Sequence, residues 1–187
     1  IPRLARWQQV FVLSGFQLSF SEAGTDRHVR EIAIVPSPYD GFVDVTFTDL
    51  QNGSAGGPAI SIDTIAGTLR VENSSFVSNE GGASGGAISA VGVGTAIVFT
   101  DDEFVGNEAA GDGGALYIAD TTSSITIERS TFQANVAEGF GGGIYVDQSE
   151  AYLHHTHLLN NNGDSDADGE GNGGASYNDG GYLIIDP

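Results

Sequence analysis

Three eleven-residue stretches of the chain align without a gap: LRVENSSFVSN (69–79), IVFTDDEFVGN (97–107) and ITIERSTFQAN (125–135). Each opens with apolar residues that alternate with polar ones, as in Leu69 and Val71, Ile97 and Phe99, Ile125 and Ile127. A period of two predicts a strand with one buried face. A second alternating run follows each, with Leu116 and Ile118 in one copy and Ile144 and Val146 in the next. No stretch repeats its apolar residues at the 3.6-residue period of a helix. VDVTFTDLQNG (43–53) and YLHHTHLLNNN (152–162) are read in the same register, and YLIIDP (182–187) starts another copy with Tyr182 and Ile184 inward.

The spacing of these runs sets the architecture. The first glycine of each Gly-Gly unit stands at Gly57, Gly85, Gly113, Gly141 and Gly173, in steps of 28, 28, 28 and 32. A repeat of this length holding two or three short strands predicts an all-β parallel solenoid of roughly six coils, in which equivalent residues stack into columns. Phe76, Phe104 and Phe132 form one inward column, with Leu50 and Leu159 at its ends. Asn79, Asn107, Asn135 and Asn162 form another at a corner, where Asn accepts a left-handed backbone and can bond to the next Asn. The first glycine of each pair is expected to take a positive φ, and the second to leave room for tight packing; Pro58 replaces that second glycine in the first copy.

These residues also carry a family resemblance. FVSN…GGAI (76–79, 85–88), FVGN…GGAL (104–107, 113–116) and FQAN…GGGI (132–135, 141–144) resemble the repeat of polymorphic outer membrane proteins and related right-handed β-helix proteins. The resemblance implies a right-handed, pectate-lyase-like parallel β-helix displayed outside the cell, often adhesive or structural. It covers residues 43–187 of what reads as a single domain. Residues 1–42 are less regular, with VFVLSGFQLSF (10–20) and REIAIVP (30–36) as candidate earlier coils.

Charge narrows the partners. The 187 residues carry 25 acidic side chains against six arginines and no lysine, a formal charge of −19. Such a field repels nucleic acid and anionic membranes and suits a cation-rich, extracellular or cell-surface medium. Cysteine is absent, so no disulfide or thiol chemistry is available. No apolar run reaches the length of a membrane span. The start at Ile1-Pro2-Arg3 reads as a processed chain or a piece of a longer one. The abrupt final strand predicts that both ends are covered, by further coils of a longer chain or by head-to-tail copies in a filament.

Candidate chemistry is sparse. Right-handed β-helices include lyases and hydrolases of acidic polysaccharides, so a polysaccharide-active enzyme is the alternative to a structural or adhesive role. Arg70 and Arg129 are expected to face solvent, Arg70 in an ion pair with Asp44, and Asp101-Asp102-Glu103 reads as an exposed corner. None of these makes a catalytic set. The sharper signal is NNGDSDADGEGN (161–172), inside the only expanded step. Asp164, Asp166 and Asp168 at alternate positions before Gly169 reproduce the start of a calcium loop. Glu170 would add its carbonyl, and Asp179 would replace the missing acid at loop position twelve, where Ala175 stands. His154 is expected inward, with His155 and His157 at the surface rather than in a zinc site. Tyr117, Tyr145 and Tyr177 form an outward column, either a ladder of strand neighbours or an aromatic stripe that packs on glycans or on a neighbouring solenoid.

Overall fold

The structure, a computed structural model, describes residues 10–13, 16–20, 41–43, 46–48, 60–62, 68–94, 96–169 and 171–187. It begins with β1 (Val10–Leu13), β2 (Phe16–Phe20), β3 (Gly41–Val43), β4 (Thr46–Thr48) and β5 (Ile60–Ile62). Then come three turns of identical plan: β6 (Leu69–Glu72), β7 (Ser75–Val77), β8 (Glu80–Gly81) and β9 (Ile88–Val91); β10 (Ile97–Thr100), β11 (Glu103–Val105), β12 (Glu108–Ala109) and β13 (Leu116–Ala119); β14 (Ile125–Glu128), β15 (Thr131–Gln133), β16 (Val136–Ala137) and β17 (Ile144–Asp147). A fourth turn holds β18 (Glu150–His154), β19 (His157–Leu159) and β20 (Ser176–Asp179), and β21 (Tyr182–Asp186) follows it.

Each strand pairs in parallel with its equivalent one turn away, so the turns stack as a β-solenoid. The sheets run β5-β9-β13-β17-β20, β21-β18-β14-β10-β6-β3, β19-β15-β11-β7-β4 and β16-β12-β8. Among the described residues three turns carry all four strands, the turns on either side (β3–β5 and β18–β20) carry three, and β21 begins the next, slightly fewer coils than the roughly six expected. Residues 10–20 form no coil. There β1 pairs antiparallel with β2, and β2 pairs antiparallel with β5, which adds both strands to the first sheet. Only two residues separate β1 from β2, and a parallel pair needs a crossover of about a dozen. Residues 30–36 lie outside the described residues.

The core is the set of inward columns. Phe76, Phe104 and Phe132 are fully buried and stack face to face at 4.6 and 4.4 Å. Beside them lie Leu69, Ile97 and Ile125, then Val71, Phe99 and Ile127, then Leu116 and Ile144. By strand register Phe76 pairs with Phe47 and Phe132 with Leu158, so the next rung after Phe132 is Leu158 and not Leu159. Leu159 is exposed, and Leu50 lies outside the described residues.

Corners take a left-handed residue at four positions per turn. In the second turn these are Asp101 (φ 57°), Gly106 (61°), Gly113 (65°) and Asp120 (52°). The Asn ladder does not use this conformation itself. The left-handed residue is the one before it, Ser78, Gly106, Ala134 and Asn160 in successive turns. The Asn side chains bridge the turns instead: Asn79 Nδ2 donates to Asn107 Oδ1 at 2.9 Å, Asn107 to Asn135 at 2.9 Å, and Asn135 to Asn161 at 2.9 Å. The last rung is therefore Asn161, a correction from Asn162, whose backbone bridges Val136 instead. The Gly-Gly pair divides its work as expected. Gly113 needs its positive φ, whereas a Cβ on Gly114 would strike the carbonyl oxygen of Gly142 in the next turn.

Register explains a group of related corrections. From β14 to β18 the step is 26 residues, since Ile127 pairs with Leu153 and Glu128 with His154. The final glycine step of 32 conceals this two-residue deletion together with a six-residue insertion between Asn161 and Gly173. Reading it as a simple insertion places 152–162 one residue out of register, which exchanges the faces of a strand. His154 accordingly points outward, its Nδ1 2.7 Å from Asp186 Oδ1. At β21 the inward columns hold Leu183 and Ile185, opposite Ala151 and Leu153, not Tyr182 and Ile184.

Candidate functional site

The six inserted residues fall in the loop that joins β19 to β20. Its base is tied to the preceding turn: Asp164 N–H donates to Gly139 O at 2.9 Å and Ser165 N–H to Ala137 O at 3.0 Å. The chain then folds back on itself with positive φ at Asp164 (65°), Ala167 (58°) and Gly169 (84°). Gly169 N–H donates to Asp164 Oδ1 at 3.2 Å, and Asp168 N–H to Asp166 Oδ1 at 3.4 Å. This folding brings one carboxylate oxygen of each of Asp164, Asp166 and Asp168 within 4.8 Å of the others. Three hard oxygen ligands at that separation can share one divalent cation. Glu170 lies outside the described residues. Asp179 stays apart from the triad. It stands on β20 beside Asp147 of β17, with Oδ2 3.5 Å from Tyr145 Oη.

The tyrosine column lies on the outer face of the first sheet. Tyr117 and Tyr145 stack at 5.2 Å and 5°, and Tyr145 and Tyr177 at 5.7 Å and 10°. Phe140, from the turn before β17, covers Tyr177 at 4.6 Å and sits 6.5 Å from Tyr145. Tyr145 is only 6% exposed as a result. The rings spend their faces on one another, so the centre of the column offers no free aromatic surface to a sugar. Desolvation, then the charges of Asp112, Asp179 and Asp147, push the Tyr145 phenol well above its ordinary value. Partial burial, then the neighbouring Asp179 carboxylate, raise Asp147.

The corner beside β10 differs from its expected form. Asp101 is exposed and forms an ion pair with Arg129, Nε to Oδ1 at 2.8 Å, and Arg129 also contacts Glu128. That hydrogen bond and charge lower the Asp101 carboxyl and raise Arg129. Arg70 pairs by register with Gly41, and its predicted partner Asp44 lies outside the described residues. Asp102 is not exposed but 1% accessible. It occupies a column otherwise filled by small hydroxyl residues: Ser74 before it and Ser130 after it. Its carboxylate accepts Ser74 N–H at 2.8 Å and Thr100 N–H at 3.0 Å. Burial, reinforced by Asp101 and Glu72, outweighs these bonds and pushes its pKa up to about 7. Sequence reasoning missed this group; the signal was the buried Ser74 and Ser130 at the same repeat position. His155 and His157 are exposed, and the three imidazoles form no metal set.

Residues 103–119 and 129–147 match the Chlamydia polymorphic membrane protein repeat. The chain carries this repeat. Each match runs through one turn, from the third sheet or the corner before it to the end of the first, and so contains Phe104, Asn107 and Gly113-Gly114, or Phe132, Asn135 and Gly141-Gly142. The likeness therefore falls on the residues that build the scaffold, and it points to a family of the outer membrane or cell surface. No curated protein and no solved structure matches the chain.

Proposed function

We propose that the chain is part of an extracellular, surface-displayed β-helix with a structural and adhesive role, stabilised by calcium at its acidic loop and continued end to end by further coils. The observation that carries this reading is the match of two successive turns to a surface-protein repeat, with the matched residues spent on stacking. One feature supports the finer part: calcium suits three converging carboxylates on a chain of charge −19. The added coils would come from the same chain or from a second copy.

Surface display is tested on intact cells that express the whole gene. Antibody against this chain should label them without permeabilisation, and external protease should remove the label. Labelling that requires permeabilisation would overturn display. Adhesion is tested with beads coated with the purified protein in calcium, which should attach to cell layers above an albumin control; attachment at the control level would overturn the adhesive role.

A further inference from the structure

The tyrosine column on the outer face of the first sheet breaks off inside the stack. Tyr177, Tyr145 and Tyr117 follow one another, but the register partner of Tyr117 in the preceding turn is Ser89. The corner column beside it shrinks in the same direction. Phe140, which covers Tyr177, donates its N–H to Asp112 Oδ1 one turn back at 2.8 Å, and Asp112 N–H donates to Ser84 Oγ a turn before that at 3.4 Å. Among the described residues the Tyr117 ring therefore contacts one aromatic, Tyr145, and meets small hydroxyl residues on its other side. β13 has β5 and β9 on one side and β17 and β20 on the other, so coils added at either end would leave this place as it is.

Two residues along the same face, Val91 pairs with Ala119. Val91 is 41% exposed, whereas Ser89 and Ala119 are sunk at 7% and 3%. Tyr117 and Val91 hold one diagonal of this square of four and the two small residues hold the other. Diagonal neighbours on a sheet are within reach of an aromatic side chain, so the patch is a shallow step with an apolar wall on each side. Its rim is acidic. Burial, then the charges of Asp147, Asp112 and Asp120, raise the Tyr117 phenol, so all three carboxylates act on this ring. Asp147 is the next rung after Ala119 and is itself raised by burial and by Asp179 beside it. Both described arginines lie off this sheet, Arg70 on β6 and Arg129 at the corner after β14. Among the described residues this face thus has acid and no base.

The complement of this face is an organic cation with an apolar stem. Only Asp164, Asp166 and Asp168 converge closely enough among the described residues to share a metal ion, so the rim acids here are spread along an edge and not gathered on a point. A guanidinium fits such an arrangement. It is planar, stacks on an aromatic face, and takes a carboxylate through two parallel hydrogen bonds. Its methylene stem covers apolar surface, as Val91 offers. A lysine ammonium is more strongly hydrated and has no plane to stack. An anionic partner is repelled by the rim and by the −19 of the chain.

We propose that this step on the first sheet docks an arginine-bearing segment of a partner protein, with the Tyr117 ring against a guanidinium, Val91 against its stem, and Asp112, Asp120 and Asp147 as counter-charges. The proposal rests on the adhesive reading and gives it a partner class. The test titrates the whole chain with a labelled arginine peptide and with its lysine and citrulline counterparts, at low and at high salt. The arginine peptide should bind about fivefold more tightly than the lysine one, the citrulline peptide should not bind, and salt should weaken both cationic peptides. Tyr117→Leu, which keeps an apolar side chain in the column, should remove the preference for arginine over lysine. Asp120→Asn, which suits the left-handed backbone there (φ 52°), should weaken both peptides about fivefold. Glu103→Gln removes an equal charge from an exposed position on the third sheet and should change neither. Equal binding of the arginine and lysine peptides, an intact preference in Tyr117→Leu, or equal losses in Asp120→Asn and Glu103→Gln would overturn the site. Beads that adhere to cells while the peptide results fail would overturn this face alone; beads that do not adhere while the peptide results hold would overturn the adhesive role and leave the face standing.

Discussion

Replacing Asp102 with serine should stabilise the protein at neutral pH and leave it unchanged in acid. The carboxylate is 1% exposed and accepts two backbone N–H groups, yet burial with Asp101 and Glu72 nearby raises its pKa from 3.8 to about 7. At 1.36 kcal/mol per pH unit, that rise is worth about 4 kcal/mol. The sign follows from proton linkage. Between pH 4 and 7 the folded state holds a proton that the unfolded state has lost, so stability falls as pH rises and the full cost is reached above about pH 7. Serine at this position has both hydrogen bonds prepared. Ser130 Oγ accepts Asp102 N–H at 3.1 Å and donates to Glu128 O at 3.0 Å, and a serine at 102 would do the same with Ser74 N–H and Thr100 O. Urea titrations at pH 4, 6 and 8 should show a gain near zero at pH 4 that grows toward about 4 kcal/mol at pH 8. The high net charge also makes stability depend on pH, so the quantity to read is the difference between the two proteins at each pH. Parallel pH–stability curves, or a serine variant that is weaker at pH 8, would refute the argument.

Other predictions concern the ladders and the loop. Phe104→Ala should cost roughly 3–5 kcal/mol and Glu103→Ala under about 0.5, because Phe104 lies between two stacked rings and Glu103 faces solvent; equal losses in denaturant would reject the inward assignment. Asn161→Ala should destabilise by at least about 1 kcal/mol, since it strands the amide of Asn135 and the carbonyl of Phe132, while Asn162→Ala should be near neutral; the reverse order would restore the 27-residue register. Calcium at a hundredfold excess over its Kd should add about 2.7 kcal/mol of stability, and Asp166→Ala should abolish the gain. A melt indifferent to chelator, with no binding heat, would leave the loop as solvated acid.

How far the sequence could be read depends on where the repeat is strict. Three 28-residue steps put the Phe column, the glycine corner and the parallel pairing in view, because a stack averages the signal over several copies. One feature of the regular part escaped: the left-handed residue sits before the ladder Asn, and Ser78, Gly106 and Ala134 share no side chain that would mark it. The irregular part failed for a different reason. A deletion at 148–149 and an insertion after Asn161 leave only their sum visible between glycines, and with a period of two an error of one residue exchanges inside for outside. His154, Tyr182 and Asn162 all changed places on that account. These same breaks in spacing hold the candidate chemistry. A residue that recurs in every turn is occupied by its own copy above and below, as Tyr145 is by Tyr117 and Tyr177. Carboxylates converge where the copies cease to match, as those of Asp164, Asp166 and Asp168 do in the lengthened loop. In a solenoid of this kind the repeat specifies the rod, and specificity toward anything else falls to the positions at which it is interrupted.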